Sequence, residues 1–355
     1  MVLVNGRTVL RLLSLTAAVV FVMALISLAA KHANPKAWFD TRLQKFCSMH
    51  VSESHVSFAE FTAWAEFTWA KSVQQRHHRI IQDYGDASRM PAFPFHYEQS
   101  PYTIWDLVPA SYSCPYNVER IGRLGDGGHW VCGMSKYTAF PKDRQCVIYS
   151  FGLRGDVSFE QEMLDRTGCE MWAYDFYMDA FGKQLEEANP DRAHFQLAGV
   201  GGETDTSLDP PMYTIEDLMA KNEHEYIDIL KMDVEFSEFE SLDALHKSIP
   251  LPGELPIGQL IIQIHFFNQI GPKEFLQWWE RLEERGLRPT WSEPSLVAVT
   301  VNLSKKDPIL ADYTMINTQD SRSVLFHGRY GAAVVRRQSA RLLVSIASLS
   351  ITARL

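Results

Sequence analysis

The chain has 355 residues, 46% hydrophobic and 12% aromatic, enough apolar material for one large domain or two modest ones, which excludes global disorder. Its 43 acids against 34 lysines and arginines give a formal charge of −9. Phosphate backbones need clustered cations, so no nucleic-acid partner is expected.

Residues 12–30 carry no charge. At ~1.5 Å per residue a helix of that length crosses a bilayer core. Arg7 and Arg11 precede it, a bias toward a cytoplasmic N-terminus. We therefore expect a cytoplasmic tail over 1–11 and a transmembrane signal anchor over 12–30. That makes the chain a single-pass type II membrane protein of the secretory pathway, facing the endoplasmic reticulum or Golgi lumen. Ser27-Leu28-Ala29 also suits a cleavage site, so a removed signal peptide is the alternative.

Residues 31–113 read as a helical stem and a proline-rich linker. Over 58–69 the aromatics recur mostly every three or four residues, as on one face of an amphipathic helix. We expect that face to pack on the following domain, with partner binding as the alternative. Pro91, Pro94, Pro101, Pro109 and Pro115 oppose regular structure and mark a linker or extended flap. Next, Gly125-Asp126-Gly127-Gly128 demands a tight turn, either a plain hairpin or an entry loop.

From residue 145 strands alternate with helices. Strands are expected over 146–151, 170–175, 193–200, 227–233 and 259–267, and a late one over 296–303 with a possible partner at 288–291. Helices are expected from Ser158, with Gln161 completing a capping box, over 179–188, from Thr214, from Ser237 with Glu240, and over 273–285. Such alternation implies an α/β fold: a doubly wound, mostly parallel sheet with helices on both faces. The domain is expected over 114–318. Residues 319–355 form a basic tail of unknown role.

Of five cysteines, none has zinc-ligand spacing, so no metal site is expected. Cys114 with Cys132 is the favoured disulfide, since both flank a loop outside the sheet. Cys146 and Cys169 read as small buried hydrophobes. Asn302-Leu303-Ser304 is a glycosylation acceptor pattern.

The chemistry gathers at strand ends. After the first strand, Phe151-Gly152-Leu153-Arg154-Gly155 lets the backbone pass close to a ligand. Asp175, about twenty residues on at the second strand's tip, suits a ribose diol. Together they suggest a nucleoside cofactor, with NAD and S-adenosylmethionine both open. In 228–235, Asp-Ile-Leu-Lys-Met-Asp-Val-Glu, period two puts Lys231, Asp233 and Glu235 on one side. They form a polar floor, or Lys231 pairs with a nearby carboxylate.

These motifs, with Gly168-Cys169-Glu170, Tyr174-Asp175 and Ile262-Gln263-Ile264-His265, fall in an order that resembles a known family. It is that of membrane-anchored methyltransferase-like proteins of the methyltransferase-like protein 24 type, related to FkbM methyltransferases. The resemblance implies a class I, seven-stranded fold, with S-adenosylmethionine as the cofactor. It implies that Phe151 and Gly152 line the cofactor and Asp175 takes its ribose. It makes Asp233 and Glu235 the acidic pair of a Lys-x-Asp-x-Glu motif. Where the family usually has glycine this chain has Phe236, and where it often has glutamate this chain has Gln263. The implied activity is O-methylation of an unknown small molecule, glycan or protein, with Asp233 or His265 as base. The alternatives are an inactive binding module of the same fold and a lumenal glycosyltransferase using Asp233-Val234-Glu235 as an acidic metal motif.

Overall fold

The computed structural model describes residues 57–94, 101–178, 181–250, 253–266, 270–301 and 307–326. Ser57 and Glu60 cap helix α1 (Phe58–Tyr84) reciprocally, and Gly85, at a φ of 74°, ends it. This helix is no stem. Its Arg76 bonds Glu283 at 2.5 Å, its Glu66 bonds Arg288 at 2.8 Å, and Trp69 Nε1 donates to Glu283. Charges buried in such pairs commit the helix to the body of the domain. The proline-rich segment is equally committed, burying Ile104, Trp105 and Leu107 in a short 3-10 turn.

The glycine-rich turn joins a hairpin of β1 (Val118–Ile121) and β2 (His129–Cys132), followed by α2 (Met134–Thr138). Strand β3 (Val147–Phe151), helix α3 (Ser158–Arg166), strand β4 (Glu170–Asp175), helix α4 (Lys183–Ala188) and strand β5 (Ala193–Leu197) come next. A two-residue pair, β6 (Gly199–Val200) with β7 (Met212–Tyr213), precedes α5 (Ile215–Lys221). Then follow β8 (Ile227–Met232), α6 (Ser237–Ser248), β9 (Ile257–His265), α7 (Pro272–Glu284), β10 (Leu287–Pro294), α8 (Leu296–Val301) and β11 (Leu310–Asn317).

Seven strands make one sheet in the order β10-β11-β9-β8-β3-β4-β5. The β9-β8-β3-β4-β5 block is parallel and β11 runs antiparallel between β10 and β9. This is the class I, Rossmann-like arrangement expected. All of β8 and β9 is buried, as parallel strands covered on both faces must be. One face packs on α5, α6 and α7 through Leu218, Leu242, Phe275 and Trp279; the other packs on the hairpin, α3 and part of α1 through Val131, Phe159 and Trp69.

Several expectations are corrected. Residues 296–301 form a helix, and the strand beside β9 is β11. Ser158 does not cap α3: the N-cap position is Val157, and the Ser158 Oγ accepts the Arg123 N–H at 3.0 Å. Ser237 does not cap α6, whose N-cap position is Phe236. Cys114–Cys132 is bonded as expected, but Cys146 and Cys169 are bonded too, since they lead into the adjacent strands β3 and β4.

The membrane expectations are also corrected. Among the described residues no helix is long and apolar enough to cross a membrane. The span expected at 12–30 lies outside the described residues, as do Asn302-Leu303-Ser304, Cys47 and most of the basic tail. The transmembrane anchor, the membrane as partner and the type II secretory-pathway location therefore have no structural support and are set aside.

Candidate active site

A cleft of about 480 Å³ opens at the carboxyl ends of β3, β4 and β8. Phe151 forms its floor, stacked on Tyr174 at 5.2 Å. Gly152 follows with φ 76°, and a Cβ there would stand 2.0 Å from the Asp233 carbonyl oxygen. Only glycine lets the tips of β3 and β8 meet this closely. Lys231 Nζ holds the same turn by donating to the Gly152 carbonyl at 2.6 Å, with Glu160 Oε1 at 3.4 Å. The Lys231–carboxylate pair considered from sequence is thus present, with Glu160. Gly155 lies on the turn but not in the cleft wall.

Asp175 stands at the tip of β4, in the wall of the cleft. Its Oδ2 accepts from the N–H groups of Leu153 and Arg154, and its Oδ1 from those of Tyr177 and Met178. Burial alone pushes this carboxyl up, but the four donors outweigh burial and hold it below its ordinary range. The carboxylate therefore folds the two loops that border the cleft. That role was not foreseen.

Asp233 follows the last residue of β8, with its side chain 11% exposed. Among the described residues its Oδ1 has no hydrogen-bond partner, and it lies 3.8 Å from His265 Nε2. His265 ends β9, and its Nδ1 is 3.2 Å from Glu238 Oε1, which also accepts the His265 backbone N–H at 2.8 Å. Burial drives the Asp233 carboxyl upward, only partly offset by Lys231, His265 and Arg154. Burial alone would lower His265, but the Glu238 hydrogen bond and the surrounding carboxylates raise it. His265 does not reach the cleft wall itself; Asp233 stands between.

Glu235 lines the same cleft, beyond the end of the strand at Met232, and pairs with Arg154 at 2.7 Å. Asp233 and Glu235 thus have different partners, His265 for the first and Arg154 for the second. Among the described residues no group of three or more metal-ligating side chains converges. Phe236 takes a φ of 74°, the left-handed backbone that favours glycine. That accounts for the glycine usual at this place in the family the chain resembles.

Sequence reasoning missed Glu238, Glu160 and the aromatic rim of Phe176 and Tyr177, the latter 92% exposed. Glu238 could have been noticed as an acid in the first turn of α6. The cleft suits S-adenosylmethionine: apolar Ala198, Val200 and the rim aromatics offer surface for an adenine, and the glycine turn leaves room beside it. With all four Asp175 bonds in place, a ribose diol must share that carboxylate with backbone donors.

The family model described as "Methyltransferase domain" matches residues 51–286. No curated protein matches. Among solved structures the chain is similar to the 1,6-didemethyltoxoflavin-N1-methyltransferase of Burkholderia thailandensis. The identity there is 12%, with 52% of this chain and 77% of that chain covered and a TM-score of 0.29. It is also similar to a TehB-like SAM-dependent methyltransferase of Corynebacterium glutamicum, at 15% identity, 52% and 86% coverage and a TM-score of 0.27. At these values neither bears on the acceptor. The kinship expected with the membrane-anchored, FkbM-related type is corrected, since the matching family is the methyltransferase domain and no spanning helix accompanies it among the described residues. The chain belongs to the methyltransferase-domain family and is an S-adenosylmethionine-dependent enzyme.

Proposed function

We propose that this enzyme methylates a hydroxyl oxygen of its acceptor, with Asp233 receiving the hydroxyl proton. The observation that carries the reading is Asp233 Oδ1, a buried carboxylate oxygen in the cleft wall with no hydrogen-bond partner among the described residues. Buried acceptors are almost always satisfied, so an open one in a cofactor cleft awaits a donor from a ligand. Bound S-adenosylmethionine supplies a methyl group activated on sulfur. A hydroxyl is a poor nucleophile until its proton leaves, and a carboxylate whose affinity for protons is raised by burial is a better base than an ordinary aspartate. His265 and Glu238 act as positioning residues: Glu238 fixes the imidazole, and the imidazole faces Asp233. Phe151, Gly152 and the Asp175-held loops shape the cofactor cleft, and water exclusion there favours transfer.

The test is mass spectrometry of cell extracts treated with isotopically labelled S-adenosylmethionine. Wild type should add label to an oxygen, and Asp233→Asn should abolish that signal while S-adenosylhomocysteine binding stays within about threefold. Label appearing only on nitrogen or carbon, or undiminished labelling by Asp233→Asn, overturns the proposal.

A further inference from the structure

A second cavity, about 300 Å³, lies on the hairpin side of the sheet between the β1–β2 turn and the strands β9, β10 and β11. Its wall includes the carboxylates Asp126, Glu293 and Asp312. Among the described residues the one cation in that wall is Arg120, which is already engaged and also lies 5.9 Å from the Trp130 ring, while Trp130 Nε1 donates to Glu293 at 2.8 Å. The Arg120 guanidinium lies 3.5 Å from Glu293 and donates to the carbonyls of Arg123 and Gly125. Trp130 and Trp291 stack at 4.1 Å on one side, and Trp291 Nε1 is buried with no hydrogen-bond partner among the described residues. His129 is also in the wall, 5% exposed, and among the described residues its Nε2 has no hydrogen-bond partner. Deep burial, helped by the charges of Lys231 and Arg120, keeps that imidazole neutral. The lips carry exposed Leu124, Leu296 and Val297.

The cavity and the cofactor cleft share no lining residue, but the charge of Asp233 in the cleft is felt by Asp312 in the cavity. Gly127 of the hairpin turn packs on Asp156, and a Cβ there would lie 2.8 Å from the Asp156 carboxyl carbon. Asp156 in turn holds the start of α3, beside the glycine turn of the cofactor cleft. Gln263, which donates to Asp312 at 3.3 Å, lies two residues before His265, so period two puts both on one face of β9.

We infer that this cavity receives the acceptor and selects a protonated amine carried on an apolar body, whose hydroxyl then faces Asp233. The assignment rests on the methyl-transfer reading above for the hydroxyl, but the charge preference stands on the cavity alone. Among the described residues of the wall three carboxylates face one cation, and that excess of negative charge attracts a positive ligand. A neutral imidazole nitrogen offers an acceptor to an ammonium N–H. Stacked indoles favour a cation or flat ring against their faces. The apolar lips suit the rest of the molecule. Burial, with Gln263 working against it and the charges of Asp233, Glu293 and Asp126 adding to it, pushes the Asp312 carboxyl up to about 7. A bound cation relieves that crowding of negative charge.

The experiment is titration calorimetry on the full chain with three probes that share a phenol and differ in charge: tyramine, 4-ethylphenol and 4-hydroxyphenylacetate. Each is measured with and without saturating S-adenosylhomocysteine. Tyramine should bind at least tenfold more tightly than 4-ethylphenol, and 4-hydroxyphenylacetate most weakly. Asp312→Asn should erase most of the tyramine advantage while leaving 4-ethylphenol and S-adenosylhomocysteine affinities within twofold. Glu293→Gln, at the exposed rim, gives the same direction should Asp312→Asn melt early. Equal affinities, a preference for the anion, no binding of any probe, or variants that weaken tyramine and 4-ethylphenol alike overturn the inference. If S-adenosylhomocysteine fails to bind while the charge order holds, the methyl-transfer reading falls and the cation preference of the cavity survives.

Discussion

The two ends of the same parallel strands are built differently. At the amino ends, Cys146–Cys169 ties β3 to β4, and Arg144 forks onto Asp228 at 2.7 and 2.6 Å while the Val147 N–H takes the same carboxylate. Asn317 donates to the Leu255 and Ile257 carbonyls, and Arg192 to those of Thr167, Cys169 and Leu164. At the carboxyl ends, Gly152 is forced by contact with the Asp233 backbone, Phe236 sits in a left-handed conformation, and Asp233 Oδ1 has no hydrogen-bond partner among the described residues, only the His265 ring 3.8 Å away. One end spends its polar groups on each other; the other leaves acceptors and strain facing a cleft. Open α/β sheets place ligands at that second end, and departures from local consistency concentrate where function needs them. Changes at the amino ends should therefore cost stability alone, and changes at the carboxyl ends should cost activity first.

The largest expected effect is at Asp233. Removing a positioned base lowers turnover by roughly 10²–10⁴-fold, so kcat/KM of Asp233→Asn should fall by that range. Stability should hold or rise. A carboxyl whose pKa is raised in the fold disfavours folding once pH exceeds its unfolded value near ~3.9, and the amide carries no such charge. In wild type the acidic limb of the kcat/KM profile should lie above the ordinary aspartate range. A large drop in melting temperature with Asp233→Asn would make this residue structural and erase the contrast between the ends.

The reciprocal test is at the amino ends. Asp228→Ala leaves a partly buried Arg144 and the Val147 N–H without their acceptor, a loss of about 3 kcal/mol. Cys146→Ser opens a link across 23 residues and should cost about 3 kcal/mol, read as a melting temperature lower by roughly 5–10 °C. In both variants kcat/KM of the folded enzyme at 25 °C should stay within twofold. Activity lost faster than folded protein would show that the amino ends also shape the site.

The sheet was legible because strands such as 227–232, apolar apart from Asp228 and Lys231, are followed by acids where the strand ends. Asp233 and Asp175 were legible for the same reason. The misreadings have a common cause in partners distant along the chain. β11 was missed because Asp312, Thr314 and Asn317 interrupt its apolar pattern, and each is excused by a bond made elsewhere: to Gln263, to the Trp130 carbonyl and to the Leu255 and Ile257 carbonyls. Glu238 meets His265 across 27 residues, and Cys146 meets Cys169 because two crossover-linked strands become neighbours. A stem was expected from the aromatic face of α1, but Glu66 and Arg76 on that helix pair with residues more than 200 positions away. Residue types and short spacings cannot encode such pairings.

The smallest effect is the sharpest probe of the carboxyl ends. Phe236 holds a left-handed backbone at φ 74° and is 48% exposed at the cleft wall. A non-glycine residue in that region carries about 1–2 kcal/mol of steric cost, and glycine returns part of it as unfolded-chain entropy. Phe236→Gly should therefore stabilise the protein by about 1 kcal/mol. It also removes a large apolar side chain from the cleft wall. If the ring contacts the cofactor, S-adenosylhomocysteine affinity should drop several-fold as the melting temperature rises. Stability and affinity would then move in opposite directions at one residue, as expected where strain is retained for binding. A melting temperature that falls with Phe236→Gly would show instead that the ring stabilises the fold by more than the backbone conformation costs.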